Sequence, residues 1–432
     1  MTTFNNEKER PFLHFLHVEA AGGVVLLLCA ILALVFANSP WASSYLAFWQ
    51  IPISISFADH TLTHSIQAWI NDGLMTIFFF VIGLEIKREL VAGELKSTQA
   101  AILPIAAALG GMLLPATIYT LALGDHEGAA GWGIPMATDI AFVVGFLSLL
   151  GKRVPKSLKI FVLSLAIVDD LGAIIVIAAV YSHNLSLTAL SLGFLGLAAT
   201  MILNRIGVRQ VPAYIVVGSL VWLAFLFSGV HPTIAGVLLG LLTPASAWIG
   251  DGAFLDVIAN FTKQLHAPHT DEHTPRKSRQ ISHLIAAARE TVSPLERLEL
   301  ALHPWVAFFI MPVFALANAG VPLVTEAITA PVAIAVSLGL VLGKPIGILL
   351  FSWLAIAFLG AKLPSNTSWK AMIGAGFLAG IGFTMSIFIA NLAFDADMLV
   401  AGKVGAMTGS FISATIGLLI LYCALPRSKA DS

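Results

Sequence analysis

Charge is what this 432-residue chain has least of: Asp, Glu, Lys and Arg make up 11% of it, against about 25% in ordinary soluble domains. That is too little to cover a water-facing surface, which excludes a soluble globular protein. Cysteine is almost missing too. Cys29 and Cys423 are the only two, and both lie in apolar segments. This excludes a disulfide framework and a thiolate metal cluster. Neither sign of charge dominates, with 23 basic against 24 acidic residues, so no nucleic-acid partner is indicated. What the chain does have is 58% hydrophobic residues, with 36 Gly and 20 Pro. Gly and Pro in such numbers suit membrane helices that pack closely and break. The chain reads as an all-α polytopic membrane protein, with no soluble domain.

Apolar spans are expected at roughly 18–38, 66–86, 100–123, 133–151, 158–182, 185–204, 211–229, 231–243, 299–320, 328–359, 370–393 and 398–425, about twelve in all. A crossing takes about 20 residues, so 231–243 is short and 328–359 must tilt, bend or project. Lys8 and Arg10 before the first run resemble a signal peptide. That run reaches about 20 residues, beyond the usual 7–15 of such a core, so it is expected to stay as a span. Of the 23 basic residues, 21 fall in loops or at span ends on one side, and only Lys344 and Lys403 lie deep within spans. Cytoplasmic loops are the basic ones, which puts both termini and the loop 244–298 inside and the loop 39–65 outside.

The external loop contains Ile51-Pro-Ile-Ser-Ile-Ser-Phe57, whose period-two alternation is that of a strand. Pro52 restricts it to an edge or a strand start. An exposed edge can pair with a second copy, so either a dimer contact or a plain extended loop fits. The long polar loop 244–298 carries His266, His269 and His273, and a solvated linker accounts for them better than a metal site does.

The span 158–182 is the one the others are organised around. Asp169 and Asp170 sit midway along it, with no other charged residue between Lys159 and Arg205. A lipid-exposed Asp at a helix centre costs about 2.5–3.5 kcal/mol, so such a pair must face a cavity, a partner charge or an ion. Successive helical residues point about 100° apart, so one Asp can face a cavity while the other reaches a neighbouring helix. The fourth span carries Gly133 and Pro135, which loosen it, followed by Thr138 and Asp139. Hydroxyl, carboxylate and freed carbonyls are hard oxygen donors, suited to small hard cations. The eleventh span has the same character, with Gly380 and Gly382 ahead of Thr384 and Ser386. Interrupted spans in corresponding positions of two halves point to a transporter's binding site. Lys344, inside the tenth span, needs a counter-charge, and Asp169 or Asp170 can supply it. Other acids at membrane edges are Asp72, Glu85 and Glu299, the last two placed to line a cytoplasmic entrance. His231 lies on the external side, where it could titrate near neutrality or simply cap a helix.

These residues occur in motifs that together resemble the NhaA family of bacterial sodium/proton antiporters over nearly the whole chain. They are Trp69-Ile-Asn-Asp72, Gly83-Leu-Glu85-Ile-Lys-Arg-Glu-Leu, Ala137-Thr138-Asp139-Ile-Ala-Phe, Leu165-Ala-Ile-Val-Asp169-Asp170, Gly229-Val-His231, Leu302-His-Pro-Trp305-Val, Gly343-Lys344-Pro-Ile-Gly and Gly380-Ile-Gly382-Phe-Thr-Met-Ser-Ile-Phe-Ile. The family is itself a standard example of inverted-repeat transporters. The resemblance implies spans 3–5 and 10–12 as the inverted pair, within a single transmembrane domain 1–432. The fourth and eleventh spans are then broken and cross at mid-membrane. It implies a bacterial inner membrane location and exchange of internal Na+ or Li+ for external H+, with no cofactor. Asp169 and Asp170 become the ion and proton site, with Thr138 and Asp139 beside it and Lys344 as charge partner. Glu85, His231 and Glu299 match positions tied to pH response. The loop 244–298 is the departure, longer than expected for shorter members.

Two other functional classes fit the residues less well. A proton-coupled carrier of small organic anions would want basic or amide groups in the cavity, where Lys344 is the one central cation. An intramembrane aspartyl protease needs carboxylates on facing helices; Asp139 could supply the second, but the Gly-x-Gly-Asp signature is missing.

Overall fold

The computed structural model describes residues 5–426 apart from 58–59, 125, 183, 209, 249, 267–280, 283 and 286. Among the described residues, 10 helices are long and apolar enough to cross a membrane, or 11 if the pair Trp369–Ala379 and Phe383–Ala393, bent by 43°, counts as one. Of the twelve expected spans, 231–243 is the one not among these. The run 231–243 folds as Thr233–Leu242, 10 residues, about 15 Å at 1.5 Å per residue against a hydrocarbon core of about 30 Å. It cannot cross alone. The over-long run 328–359 becomes Pro331–Phe358, 28 residues, with a π-helical turn at Gly339–Gly343 directly before Lys344. Such turns interrupt the regular ladder and often mark functional sites.

Glycine sets two close crossings. A Cβ on Gly110 would lie 2.1 Å from the Gly347 carbonyl oxygen, so Thr98–Leu123 and Lys344–Phe358 touch backbone to backbone. The short helix Thr233–Leu242 lies equally close on Ile66–Ala92, where a Cβ on Gly83 would be 2.6 Å from the Val237 oxygen. Between helices in lipid the hydrophobic effect contributes little, and close van der Waals packing of small residues replaces it.

The strand expected at Ile51–Phe57 is present as β1 (Pro52–Phe57), with Pro52 at its start. Its partner is β2 (His60–Ser65) of the same chain, antiparallel, with Ser54 opposite Thr63 and Ile55 opposite Leu62. Period two therefore gives the hairpin a hydroxyl face and an apolar face. Ser54 and Thr63 hydroxyls meet at 2.8 Å on the first. The loop 244–298 is not plain linker either: Asp251–His266 is a helix. The side chains of His266, His269 and His273 lie outside the described residues.

Candidate functional site

The two interrupted spans meet at their interruptions. In the first, a 3-10 helix Ala129–Met136 gives way to extended backbone at Ala137–Asp139, and an α-helix resumes over Ile140–Leu149. The break thus falls one step beyond Gly133 and Pro135, the residues expected to cause it. Proline removes a backbone donor and relaxes the helix into a 3-10 turn, while Gly133 gives room to the Tyr181 hydroxyl, 2.8 Å from where its Cβ would be. In the second, Trp369–Ala379 ends at Gly380 and Phe383–Ala393 begins after Gly382. Neither glycine needs a left-handed φ; closeness requires them. A Cβ on Gly382 would be 2.2 Å from Ser386 Oγ and 2.9 Å from the Ala137 oxygen. Asp139 N donates to the Ile381 oxygen at 2.7 Å and Ser386 Oγ to the Ile134 oxygen at 2.8 Å, while Thr138 Oγ1 lies 3.2 Å from the Ala379 oxygen.

Two helix N-termini converge on Asp139. Its Oδ1 accepts from Phe142 N at 3.4 Å, and its Oδ2 from Thr384 N at 2.9 Å and from the Thr384 hydroxyl. A carboxylate there compensates the partial positive charge of both helix ends. The opposite polarity is met by Lys344, whose ammonium donates to the Met136 carbonyl, the last residue of the 3-10 helix.

Lys344 Nζ also lies 3.1 Å from Asp169 Oδ2, both side chains fully buried, and Thr138 Oγ1 donates to the same oxygen at 2.7 Å. Asp169 is thereby paired. Asp170 is not: its Oδ1 is buried without a hydrogen-bond partner among the described residues. Burying an unpaired carboxylate is so costly that an ion or a proton belongs there. Asp170, Asp139 and Thr138 line a cavity that leads past Met385 to Glu19, Glu85 and His303. The cavity has a volume of about 40 Å³, room for a few water molecules, each of which needs about 10–15 Å³. Asp169 and Lys344 are not among its lining residues.

The remaining expected residues separate into two groups. Glu85 reaches the cavity, joined by Glu19 and by His303, whose Nε2 is 2.9 Å from Glu19 and whose Nδ1 is 3.8 Å from Glu85. Glu299 is not among the residues that line this cavity; it is held in an ion pair with Arg88. Glu299 and His303 lie one turn apart on the same face of one helix; the acid meets Arg88 of the neighbouring helix, and the imidazole lines the cavity. Asp72 and His231 lie together elsewhere, toward the hairpin, 3.5 Å apart. His231 Nδ1 also approaches Thr233 Oγ1 at 2.7 Å at the start of the short helix.

Glu19, His303 and Thr384 were missed as site residues. Glu19 stands alone near the start of an apolar span, and His303 and Thr384 sit within motifs already singled out, so each left a signal.

The chain is similar to known proteins over nearly its whole length. A model of the family described as Na+/H+ antiporter 1 matches residues 13–421. The Na(+)/H(+) antiporter NhaA of Rhodopirellula baltica is 51% identical over 420 residues, covering 97% of this chain and 95% of that protein. NhaA of Rhizobium meliloti is 48% identical over 412 residues, covering 95% and 94%. NhaA 2 of Acidiphilium cryptum is 45% identical over 427 residues, covering 99% and 95%.

Proposed function

The chain belongs to the NhaA family of Na+/H+ antiporters, and from that premise we propose that it exchanges cytoplasmic Na+, or Li+, for external protons across a bacterial inner membrane. A transporter of this family is not an enzyme. The observation that carries the proposal is Asp170. It lines the cavity and has a buried carboxylate oxygen without a hydrogen-bond partner among the described residues, while its neighbour Asp169 is already engaged by Lys344.

A Na+ that sheds water needs a formal negative charge and further hard oxygens. Asp170 supplies the charge, and Asp139 and Thr138 stand at the same cavity wall. A proton on Asp170 removes the charge, so cation and proton compete for one group. A second proton resides on the Lys344–Asp169 pair. Two protons against one monovalent cation make the exchange electrogenic. We assign pH response to Glu85, Glu19 and His303 at the cavity, with Glu299 and Arg88 behind them and His231 with Asp72 on the opposite side. Spans 98–180 and 331–424 form the inverted pair in this reading, and the mutual contact of the two breaks supports it.

The basic loops place both termini in the cytoplasm and the hairpin outside. With β1 and β2 paired to each other, the hairpin's outer edges remain for a second copy, and we propose a homodimer joined there. An organic-anion carrier finds less support, because Lys344 is committed to Asp169 and to the Met136 carbonyl.

The test is proton flux in everted vesicles across a range of pH. Adding Na+ should collapse an imposed pH gradient in the parent and leave it standing in Asp170→Asn. A parent that ignores Na+ at every pH would remove the proposal.

A further inference from the structure

On the hairpin side of the crossing, three amides converge on one side-chain oxygen. Asn318 Oδ1 accepts from Gln67 Nε2 at 3.0 Å, Asn71 Nδ2 at 3.4 Å and Asn391 Nδ2 at 2.9 Å. Its own Nδ2 donates to Asn71 Oδ1 at 2.8 Å and to the Phe314 oxygen at 3.1 Å. Gln67 and Asn71 belong to the span 66–92, and Asn318 ends the span 294–318. Asn391 alone comes from the half-helix Phe383–Ala393. That same half-helix carries Thr384, which holds Asp139.

Between Thr384 and Asn391, Phe388 closes the way outward. Its ring centroid lies 5.4 Å from Phe79, 5.4 Å from His231 and 6.1 Å from Phe314. The cavity at Asp170 runs the other way, to Glu19, Glu85 and His303. One short helix therefore touches the ion site at its inner end and is fastened to two neighbouring spans at its outer end.

We infer that the Asn391–Asn318 hydrogen bond is the external latch of the exchange cycle, a positioning contact held while the site faces the cytoplasm and broken when it faces outward. This rests on the exchange proposed above, since only a carrier needs its site to face both sides in turn. The chemistry suits a contact that is made and broken in every cycle. A neutral amide pair is directional, so it fixes the position of the half-helix, yet it exposes no bare charge when it opens, as a buried ion pair would. When Asn391 leaves, Asn318 Oδ1 keeps Gln67 and Asn71 as donors and is not stranded. The Asn391 amide, moving with Phe388, is then met by the water that enters.

Sidedness of access tests the latch. Met385 lines the cavity beside Asp170, so Met385→Cys, in a chain with Cys29→Ala and Cys423→Ser, reports which face the site opens to. A charged, membrane-impermeant thiol reagent is applied to right-side-out and to everted vesicles. The parent should react faster from the cytoplasmic face. Asn391→Leu, similar in size but without the amide, should raise the external rate and lower the cytoplasmic one, shifting the ratio of the two by about 2- to 10-fold, the equilibrium shift that one net hydrogen bond represents. Asn391→Ala should act in the same direction and serves if the leucine variant does not fold. Asn391→Gln, which keeps a donor, should return part of the parent's sidedness.

External labelling that stays unchanged or absent in the Asn391 variants overturns the latch. So does a rise from both faces together with a lower melting temperature, which would make the cluster scaffold only. Labelling is read without Na+ transport. Loss of the exchange reading would appear instead as a parent that moves no protons on Na+ addition.

Discussion

Removing the Lys344 ammonium tests the charge pair at the helix crossing. Its nitrogen lies 3.1 Å from Asp169 Oδ2, and neither side chain is exposed at all. Asp169 keeps the Thr138 hydroxyl at 2.7 Å, while its Oδ1 has no partner among the described residues. Lys344→Ala therefore strands a buried carboxylate and is expected to cost about 3–5 kcal/mol. It also strands the Met136 carbonyl at the end of the 3-10 helix. Asp169→Asn strands the ammonium instead and should cost a similar amount. Once either partner is gone, removing the other should cost little more, so the coupling should be about as large as one single cost, about 3–5 kcal/mol. The assay is thermal unfolding of the parent, the two single variants and the double variant in one detergent. A second cycle pairs Lys344→Ala with Asp170→Asn and should show much weaker coupling, because Asp170 faces the cavity and Asp169 does not. Lys344→Arg should keep most of the stability but lose exchange, because Arg does not give up its proton. Coupling to Asp170 without coupling to Asp169 would refute the pairing and move the cation site. Additivity in both cycles would remove the ion pair from the mechanism.

Asp139→Asn should weaken Na+ binding without abolishing it, and should destabilise the crossing by about 0.3–1 kcal/mol for each of the two helix N-termini that lose a facing negative charge. Titration calorimetry with no detectable Na+ binding in a folded Asp139→Asn would make Asp139 the principal ligand instead. Transport in proteoliposomes should respond to a valinomycin-set K+ potential, since 100 mV is worth about 2.3 kcal/mol per charge moved; insensitivity would rule out net charge movement. Gly110→Ala should cost about 1–3 kcal/mol through overpacking, because its Cβ would sit 2.1 Å from the Gly347 oxygen, whereas Gly145→Ala has open space around it. Equal melting temperatures for the two variants would contradict the close crossing.

Much of this protein is legible locally. A crossing helix must be apolar over about 20 residues, and that requirement is met within each segment, so spans such as 98–123 and 156–180 could be read with near-correct ends. Buried charge is legible for the same reason: Asp169, Asp170, Asp139 and Lys344 are conspicuous because lipid tolerates them only with a purpose. The length of 231–243 announced that it was a poor crossing, and the alternation at 51–57 announced a strand. The partner strand 60–65 was harder, because His60, Thr61, Thr63 and His64 lack the apolar alternation that makes a strand conspicuous.

The pairings came only with the tertiary structure. Asp169 and Asp170 are the same residue type in the same run, and nothing local says which one turns to Lys344. The answer depends on how the helices 156–180 and 331–358 are each seated against 98–123, which meets the first at Met112 on Gly172 and the second at Gly110 on Gly347. Glu19, Glu85 and His303 come from three separate spans and meet because those spans pack side by side. Asp139 and Thr384 are 245 residues apart in sequence, and their bond exists because two breaks coincide in space. The sequence determined which segments enter the membrane and which polar groups they carry, since the cost of burial falls on each residue where it stands. Which of those groups share a proton, a cation or a hydrogen bond was decided by packing between helices, where directional contacts of a few ångströms select one partner among chemically equal candidates.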